Sequence, residues 1–500
     1  MTPEPIQPIP AQLARTVAVH RGPARYPSTP PFHPDAPYPE YRGGTVSTEP
    51  NAAYAAVRES FRLLGLDAAR FGTAGWNPLG ALVRPGDTVV LKPNLISQWH
   101  RVRHAEWVQV ITHGSVTRAV LDYVLLALDG RGRVVICDGP QTDSDFGEIV
   151  RRSGLDAVAA WGRASGTDVQ LLDLRRDRWY QEGDITHRRE PLPGDPAGYT
   201  TVELGADSEF ADYALSGRFY GADYDMAETA RFHNRDRHAY VVCRTVMDAD
   251  VVINLPKLKT HKKTGITVSL KNLVGINGYR NCLPHHTLGT PDQRGDEFPT
   301  SDLANRVQSG GIIAFKRLLA RLGGGGAWAR AVKRVGRAVF GDTQQVVRSG
   351  NWHGNDTTWR MVLDLNRCLF HFDGTGARRQ RPLRYLSVVD GLIAGDGNGP
   401  EAPDAVEAGL VVAGLNPLAV DTVCATLMGF DWRRLRMLAR GWTMRTLGVA
   451  DFGPEAVHVV SSATEWSGTV EALQGAVTLR FRPHFGWRGA VELRAEARSA

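Results

Sequence analysis

Apolar residues follow two alternating patterns along this chain. In one set of segments they recur every three to four positions, the spacing of an amphipathic helix: 51–66, 115–128, 145–151, 154–165, 355–368 and 418–428. Between these segments lie short runs rich in valine, isoleucine and leucine, which are typical of buried strands: 88–91, 134–137, 169–172, 240–242, 251–253, 383–389 and 410–413. Because strands and helices alternate, the pattern predicts an α/β fold with a mainly parallel sheet flanked by helices.

Other stretches depart from this alternation and divide the chain. Proline crowds the N-terminal residues, which favours an extended arm, and a later stretch has no clear period, which predicts a long irregular insertion. In chain order we expect an arm (1–47), a first α/β half (48–173), the irregular insertion (174–238), a second α/β half (239–430) with a helical insertion at 300–370, and a small C-terminal β element with a tail (431–500). Helical spacing within the helical insertion covers 302–322 and 327–340.

Lysine is rare in this chain and clustered. Of 59 basic residues only eight are lysines, and five of those eight fall within 257–271. A lysine ammonium binds phosphate or carboxylate and can lower its pKa when partly buried, whereas arginine stays charged. The cluster directly follows the predicted strand 251–253, and ligands of open α/β sheets bind at the carboxyl ends of the strands. It therefore predicts a site for an anionic ligand; the alternative is a solvated basic loop.

Polar residues also follow other predicted strands, and we expect them to converge on the same edge of the sheet. We predict His261, Lys257, Lys259 and Lys271 as catalytic residues. His261 would be the general acid or base, because an imidazole ordinarily titrates nearest to neutral pH. The predicted substrate-binding residues are Lys92, Asn94, Thr260, Lys262, Thr264, Asn272, His285 and His286.

Three carboxylates predict a second kind of chemistry at this edge. Asp138 follows the strand 134–137, and Asp390 and Asp396 follow the strand 383–389, the latter within a glycine-rich loop at 394–400. Carboxylates in this arrangement could hold a divalent cation or orient the lysines. A simple turn is the alternative for the glycine-rich loop.

Composition narrows the class of protein. The 500 residues are 42% apolar and 22% charged, with a formal charge of +6, which is ordinary for a globular protein and suits anionic small molecules as well as nucleic acid. Five cysteines lie far apart without a C-x-x-C pair, which predicts a reducing compartment and neither disulfides nor an iron–sulfur cluster. No signal peptide and no apolar run long enough to span a bilayer is present, so we expect a cytoplasmic protein.

Common enzyme motifs are absent, but a family resemblance is present. The sequence contains no Walker loop, no dinucleotide-binding G-x-G-x-x-G, no H-E-x-x-H and no G-x-S-x-G. The segments VVLKPN at 89–94, ICDGP at 136–140, VVINLPKLKTHKKTGITVSLKNLVG at 251–275, VVDGLIAGDGNGP at 388–400 and AGLNPLAVDTVCATLMG at 413–429 resemble successive signatures of the family called domain of unknown function 362, over about residues 50–430.

The resemblance implies family motifs at the predicted site. The K-x-K-T-H pattern of the family matches Lys257, Lys259, Thr260 and His261, and its K-N pair matches Lys271 and Asn272. Some members of the family carry a ferredoxin-like iron–sulfur module. The cysteines of this chain lack that pattern, so the resemblance implies no electron-transfer role here.

These observations favour an enzyme that acts on a phosphorylated or carboxylated small molecule, for example a sugar or glycan precursor. Lysine and histidine would supply acid–base chemistry, and a divalent metal could assist them. Transfer, isomerisation and hydrolysis all remain open as the reaction type. The alternative is a non-catalytic protein that binds an anionic ligand or nucleic acid through the lysine cluster and the basic helical segment 327–337. The sequence does not indicate an oligomeric state.

Overall fold

The predicted alternation of strands and helices is present in the structure. A computed structural model describes residues 11–182, 185–213, 218–221, 226–303, 305–306, 310 and 347–493. In chain order the elements are α1 (Ala11–Arg15), β1 (Thr16–Arg21), α2 (Ala52–Leu63), β2 (Thr88–Pro93), α3 (Gly114–Leu128), β3 (Arg133–Asp138), α4 (Phe146–Ser153), α5 (Leu155–Ala164), β4 (Asp168–Asp173), β5 (Asp177–Glu182), β6 (Ile185–Pro191), β7 (Tyr199–Glu203), β8 (Phe219–Tyr220), α6 (Met226–Phe232), β9 (Ala239–Cys243), α7 (Arg244–Met247), β10 (Val251–Leu255), β11 (Lys257–His261), β12 (Gly265–Thr267), α8 (Ser269–Asn272), β13 (His286–Thr287), α9 (Thr358–His371), β14 (Arg384–Asn398), β15 (Ala402–Gly414), α10 (Pro417–Leu427), α11 (Arg436–Gly441), β16 (His458–Ser461), β17 (Gly468–Thr469) and α12 (Val470–Ala476).

A mixed sheet forms the centre of the molecule. Its strands lie in the order β17-β16-β1-β15-β14-β10-β2-β3-β4. From β14 to β4 all neighbours are parallel, whereas β15 runs antiparallel to both β14 and β1. The α/β class with a mainly parallel sheet and flanking helices is therefore confirmed.

The central strands are apolar on both faces because helices cover both. On β10, Val251 and Ile253 pack into the apolar cluster that includes α2 and α3, and Val252 packs into the cluster that includes α9 and α10. Successive side chains of a strand point to opposite faces, so a strand covered on both sides is continuously apolar. This is why the pattern predicted these strands well.

The structure corrects the predicted arm and insertion. Residues 16–21, assigned to an extended arm, form the inner strand β1, whose Val17, Ala18 and Val19 are buried between β15 and β16. The stretch 174–238 contains α6 and the strands β5 to β8: β5 pairs with β6, whereas β7 and β8 pair with β9 and β13, which follow the stretch. Short strands with few apolar residues produce no periodic pattern, so they were missed.

Two stretches that follow predicted strands also form strands. Residues 257–261 form β11, and residues 394–398, expected in a glycine-rich loop, continue β14, where Asp396 is paired with Asp404 of β15. Of the helical insertion, the predicted helix 327–340 and most of 302–322 lie outside the described residues. Among the helices that are described, none has the length and apolar character needed to cross a bilayer.

Candidate functional site

The lysine-rich segment is a buried strand and not a solvated loop. After Pro256 the chain leaves β10 and forms β11, which pairs with β14 on one side and with the short β12 on the other. Alternate residues of a strand share a face, so Lys257, Lys259 and His261 follow the period of two. All three are at most 5% exposed. Each buried polar group therefore needs a partner or a ligand.

Lys257 forms a buried ion pair with Asp390. Its Nζ lies 3.1 Å from Oδ2 of Asp390 and donates a hydrogen bond of 2.8 Å to the hydroxyl of Tyr26. Tyr26 in turn donates to Oδ1 of Asp390 at 2.5 Å. Burial lowers the pKa of Lys257, and Asp390 opposes this shift. Lys257 therefore joins β11, β14 and the N-terminal segment, and it does not line the cleft described below.

Lys259 is held by two backbone carbonyls. Its Nζ donates to the carbonyl oxygens of Val110 at 2.5 Å and Pro400 at 3.1 Å. Burial, reinforced by the nearby ammonium groups of Lys257 and Lys271, keeps the pKa of Lys259 well below 10.5. The side chain reaches the cleft wall, but its hydrogen-bonding capacity is largely used.

A small cleft of about 60 Å³ opens at the carboxyl ends of β2 and β3, beside β11. Five nitrogen-bearing side chains other than Lys259 reach its wall, and one carboxylate faces them. These side chains at the wall are Asn94, Asp138, Lys259, His261, Lys271, Asn272 and Arg280. Cationic groups thus outnumber carboxylates at the cleft, which gives it a positive potential.

The floor of the cleft is a second buried ion pair. Nζ of Lys92 lies 2.7 Å from Oδ1 of Asp138, and Oδ2 of Asp138 accepts a hydrogen bond from the backbone N–H of Leu95 at 2.8 Å. Gly275 packs directly against this pair: a Cβ there would overlap Oδ1 of Asp138 and lie 2.8 Å from Nζ of Lys92. The N–H of Gly139 also donates to the carbonyl of Gly275 at 2.9 Å. Glycine is required by this close approach.

His261 is a neutral hydrogen-bond donor. Its Nδ1 accepts from the backbone N–H groups of Lys263 at 3.0 Å and Thr264 at 3.2 Å, so the proton of the neutral ring lies on Nε2. Burial and the positive charges of Lys271 and Lys262 hold the pKa of His261 well below 6.5. The expectation of an imidazole that titrates near neutral pH is therefore not met. A group buried among cations cannot easily accept another positive charge.

Lys271 is the cleft residue that titrates near neutral pH. Burial, followed by the charges of Arg280 and Lys92, lowers its pKa to about 7. Its Nζ has no hydrogen-bond partner within the described part of the chain. The short helix α8 carries it, and Asp421 of α10 holds the start of that helix by accepting from the N–H groups of Ser269 at 2.7 Å and Leu270 at 3.0 Å.

Arg280 was not predicted from the sequence. One terminal nitrogen donates to the carbonyl oxygens of Gly139 and Pro140, the latter at 2.7 Å. Its other N–H groups have no partner among the residues described, and the side chain lines the cleft. Arginines are so numerous in this sequence that no compositional signal could single this one out.

The predicted substrate-binding residues separate into two groups. Asn94 and Asn272 line the cleft, and Lys92 lies beneath it. The other predicted residues do not reach the cleft wall and have contacts elsewhere. The hydroxyl of Thr260 donates to the carbonyl of Gly397 at 2.9 Å, that of Thr264 donates to the carbonyl of Ile266 at 3.0 Å, and Nζ of Lys262 lies 3.2 Å from Glu401. Nδ1 of His285 lies 2.9 Å from the carbonyl of Leu283, and Nδ1 of His286 lies 3.3 Å from Nζ of Lys263. Burial and nearby cations lower the pKa of His285 to about 3.

The three carboxylates expected to share a metal each face a different cation. Asp138 pairs with Lys92, Asp390 with Lys257, and Asp396 with Arg482 at 2.7 Å. Nowhere in the described ranges do three or more histidine, cysteine, aspartate or glutamate residues form a group that could hold a metal ion. Their placement does not support a shared metal site, because carboxylates that neutralise separate ammonium or guanidinium groups are not grouped around one point.

One part of the chain, residues 190–426, is similar to a known protein family. Residues 190–426 match the family described as Domain of unknown function (DUF362), a range that includes β11 and Lys271 but not Lys92, Asn94 or Asp138. A thylakoid-associated protein of Synechocystis sp. is 26% identical over 206 residues, which are 41% of this chain and 42% of that protein. The chain thus matches less than half the length of this curated relative.

The chain has only a weak likeness to a solved structure. A crystal structure of a protein from Thermotoga maritima aligns over 73% of this chain and 56% of its own, with 10% identity and a TM-score of 0.31, too low to support an argument. The matched range includes Lys259, His261, Lys271 and Arg280, which line the cleft. Over residues 190–426, just under half of its length, the chain is similar to the domain of unknown function 362 family.

Proposed function

We propose that this protein is an enzyme that acts on a small anionic molecule, phosphorylated or carboxylated, bound in the cleft beside Lys271. The observation that carries the proposal is the set of N–H donors without partners in the described chain: Nε2 of His261, Nζ of Lys271 and part of the Arg280 guanidinium. Lys92, Lys257 and Lys259 are all engaged with protein oxygens. These donors face the cleft, where a ligand or water can accept from them.

The electrostatics of the cleft favour an anion. Lys271, Arg280 and Lys92 repel one another, and Asp138, the carboxylate at the cleft, is already paired with Lys92. An anion that enters would relieve this repulsion and raise the pKa of Lys271. Binding and protonation of Lys271 are then linked.

Two residues could share the chemistry. Lys271, with a pKa of about 7, can give or take a proton at physiological pH, which is the property expected of a general acid or base. His261, which stays neutral, can donate from Nε2 to an oxygen on which negative charge develops. Transfer, isomerisation and hydrolysis remain open for this pair. The predicted location in the cytoplasm is part of the proposal, and the five buried, unpaired cysteines support a reducing compartment.

Nucleic-acid binding through Lys257 and Lys259 receives no support. Lys257 and Lys259 are 0% exposed, so their ammonium groups cannot reach a phosphate backbone. The segment 327–337, the other element of that hypothesis, lies outside the described residues.

Calorimetric titration with orthophosphate and malonate tests the proposal. We expect Lys271→Met to weaken binding by about tenfold or more, a loss of about 1.4 kcal/mol. Lys262→Met is the matched control: it lies on the same segment, pairs with Glu401 and does not line the cleft. We expect it to bind as the wild type does. Affinity of the wild type should also fall as the pH rises through about 7, because Lys271 loses its proton. Unchanged affinity in Lys271→Met, or no binding by the wild type, would contradict the proposal.

A further inference from the structure

Lys271 differs from the other lysines at this edge of the sheet. The amine of Lys92 contacts a carboxylate, that of Lys257 contacts a carboxylate and a phenol, and that of Lys259 contacts two carbonyls. The amine of Lys271 lines the cleft with no such partner in the part of the chain that is described. A lysine that served only as a fixed positive charge would be better placed beside a carboxylate.

The surroundings favour an unprotonated amine. Burial, Arg280 and Lys92 oppose a positive charge on Lys271, and together they outweigh Asp138, which favours the charge but is paired with Lys92. Desolvation and a neighbouring cation are two conditions that turn a lysine amine into a nucleophile towards carbonyl carbon. The free amine also lies in a cleft that opens to solvent, where a ligand can reach it.

Two further groups would orient a substrate at this amine. The N–H groups of Arg280 that have no described partner suit a carboxylate or phosphate, which arginine binds through paired donors. Nε2–H of His261 suits an uncharged acceptor such as a carbonyl oxygen, because the ring is held neutral by its two backbone contacts and its burial. The cleft therefore offers hydrogen-bond donors both to an anionic group and to a carbonyl oxygen of a substrate.

We propose that Lys271 forms an imine with its substrate, and that the substrate is a small anionic aldehyde or ketone such as a 2-oxo acid. This inference rests on the proposed function, since it assigns a substrate class to the same cleft. The cleft of about 60 Å³ accommodates only the reacting end of a molecule, which fits a short oxo acid or the oxo end of a longer anion.

The step is balanced without a redox partner. The nitrogen lone pair attacks the carbonyl carbon, a C–N bond forms, and the carbonyl π electrons move to oxygen. His261 stabilises the negative charge on this oxygen until the oxygen takes up a proton. One of the two protons of the attacking amine supplies this oxygen, the other leaves with the resulting hydroxyl group as water, and a C=N bond replaces C=O. The products are the imine and one water molecule, and no atom is oxidised or reduced.

Reductive trapping tests the imine. The full-length protein would be incubated with pyruvate or glyoxylate near pH 7, treated with sodium borohydride and digested, and the adduct at each of the eight lysines would be measured by mass spectrometry. Borohydride delivers hydride to the C=N carbon, so the lysine gains the mass of the carbonyl compound less one oxygen atom. We expect the adduct at Lys271 to exceed that at Lys262 by at least about tenfold, because the amine of Lys262 is held in an ion pair with Glu401 and does not line the cleft.

Two variants and a pH series complete the experiment. Lys271→Arg keeps a positive charge but cannot form an imine and should abolish the selective adduct, whereas Lys262→Arg should leave it unchanged. The yield should fall between pH 8 and pH 6, as Lys271 becomes protonated. Labelling of Lys271 no greater than that of Lys262 with both compounds would overturn the inference.

The calorimetric titration separates this inference from the proposed function. If orthophosphate and malonate bind in a manner that depends on Lys271 but no adduct forms there, the imine is wrong and the anion site stands. If neither anion binds and no adduct forms, both are wrong.

Discussion

At the scale of single residues, the cleft depends on the different responses of lysine, histidine and arginine to burial. Desolvation among cations lowers the pKa of Lys271 to about 7 and that of His261 well below 6.5. Arginine retains its charge under comparable conditions. A site that needs both a fixed cation and a titratable amine therefore benefits from one residue of each kind, Arg280 and Lys271.

The lowered pKa of Lys271 predicts a pH-dependent stability. Between about pH 7 and pH 10 the unfolded chain holds a proton on this amine that the folded chain lacks, so the free energy of unfolding should rise with pH, by at most about 1.4 kcal/mol per pH unit. Lys271→Met removes this contribution. It should be more stable than the wild type at pH 6, and its advantage should shrink towards pH 10.

Denaturant unfolding of both proteins at pH 6, 7, 8 and 9 measures the effect. Lys262→Met, which alters a half-buried lysine paired with Glu401, serves as the control. Wild-type and Lys271→Met stability curves that run parallel over this range would show that the amine of Lys271 is not perturbed.

A single methyl group added at Gly275 should strongly destabilise the fold. Gly275→Ala would force its Cβ into the Lys92–Asp138 pair, and displacing a buried ion pair should reduce the free energy of unfolding by about 3 kcal/mol or more. Gly475→Ala is the control, because a Cβ at that position of α12 meets nothing within 4 Å and alanine favours a helix. Chemical denaturation compares the two. A cost at Gly275 similar to that at Gly475 would show that the ion pair can move aside.

At the scale of elements, the position of β11 is determined by a chain segment far away in sequence. Tyr26 lies between β1 and α2, yet its hydroxyl contacts Lys257 of β11 and Asp390 of β14. Its ring stacks on His113 at 4.1 Å, just before α3. The N-terminal segment thus supports the strand that leads into the cleft.

Removal of the Tyr26 hydroxyl should weaken this junction. Tyr26→Phe leaves the Lys257–Asp390 pair without a shared hydroxyl and also removes an acceptor for the N–H of Ile393 at 3.2 Å. We expect a loss of about 1.5–3 kcal/mol in the free energy of unfolding, as for hydrogen bonds to charged groups. Tyr38→Phe, on the same segment, removes a hydroxyl with no partner in the described structure and should change stability by less than about 0.5 kcal/mol.

Thermal and denaturant unfolding would distinguish these two variants. Equal stability of Tyr26→Phe and Tyr38→Phe would mean that water replaces the Tyr26 hydroxyl without loss.

At the scale of the whole molecule, the N-terminal and C-terminal parts of the chain complete one sheet. β1 lies between β15 and β16, so a strand from the first residues joins strands from the last hundred. Such contacts between distant parts of the sequence make folding of the sheet dependent on both ends of the described chain.

A charge in β1 should therefore disrupt the sheet as a whole. Val19 is 0% exposed, so Val19→Asp would bury an unpaired carboxylate at a cost of about 3 kcal/mol or more. Arg21→Asp, at the exposed end of the same strand, loses mainly a contact with the ring of Trp466 and should cost less than about 1 kcal/mol. Thermal unfolding and size-exclusion chromatography measure both. An intact, stable Val19→Asp protein would show that β1 is dispensable.

The sequence alone determined the class of fold, and it predicted a site at the edge of the sheet where the cleft lies. Valine-rich runs such as 251–253 must be buried on both faces, and that requirement follows from local composition. Lysine clustering at the end of such a strand was also visible locally. The prediction that Lys271 and Asn272 lie at a ligand-accessible edge therefore needed no knowledge of distant contacts, and both line the cleft.

Only the tertiary structure decided which charged groups pair. Tyr26 and Asp390 are 364 positions apart, and Asp396 contacts Arg482 across 86 positions, so no local pattern could reveal that these carboxylates are occupied. The pKa of His261 likewise depends on burial and on cations assembled around it. Local sequence specifies which element forms, whereas charge pairing and desolvation depend on neighbours that folding brings together.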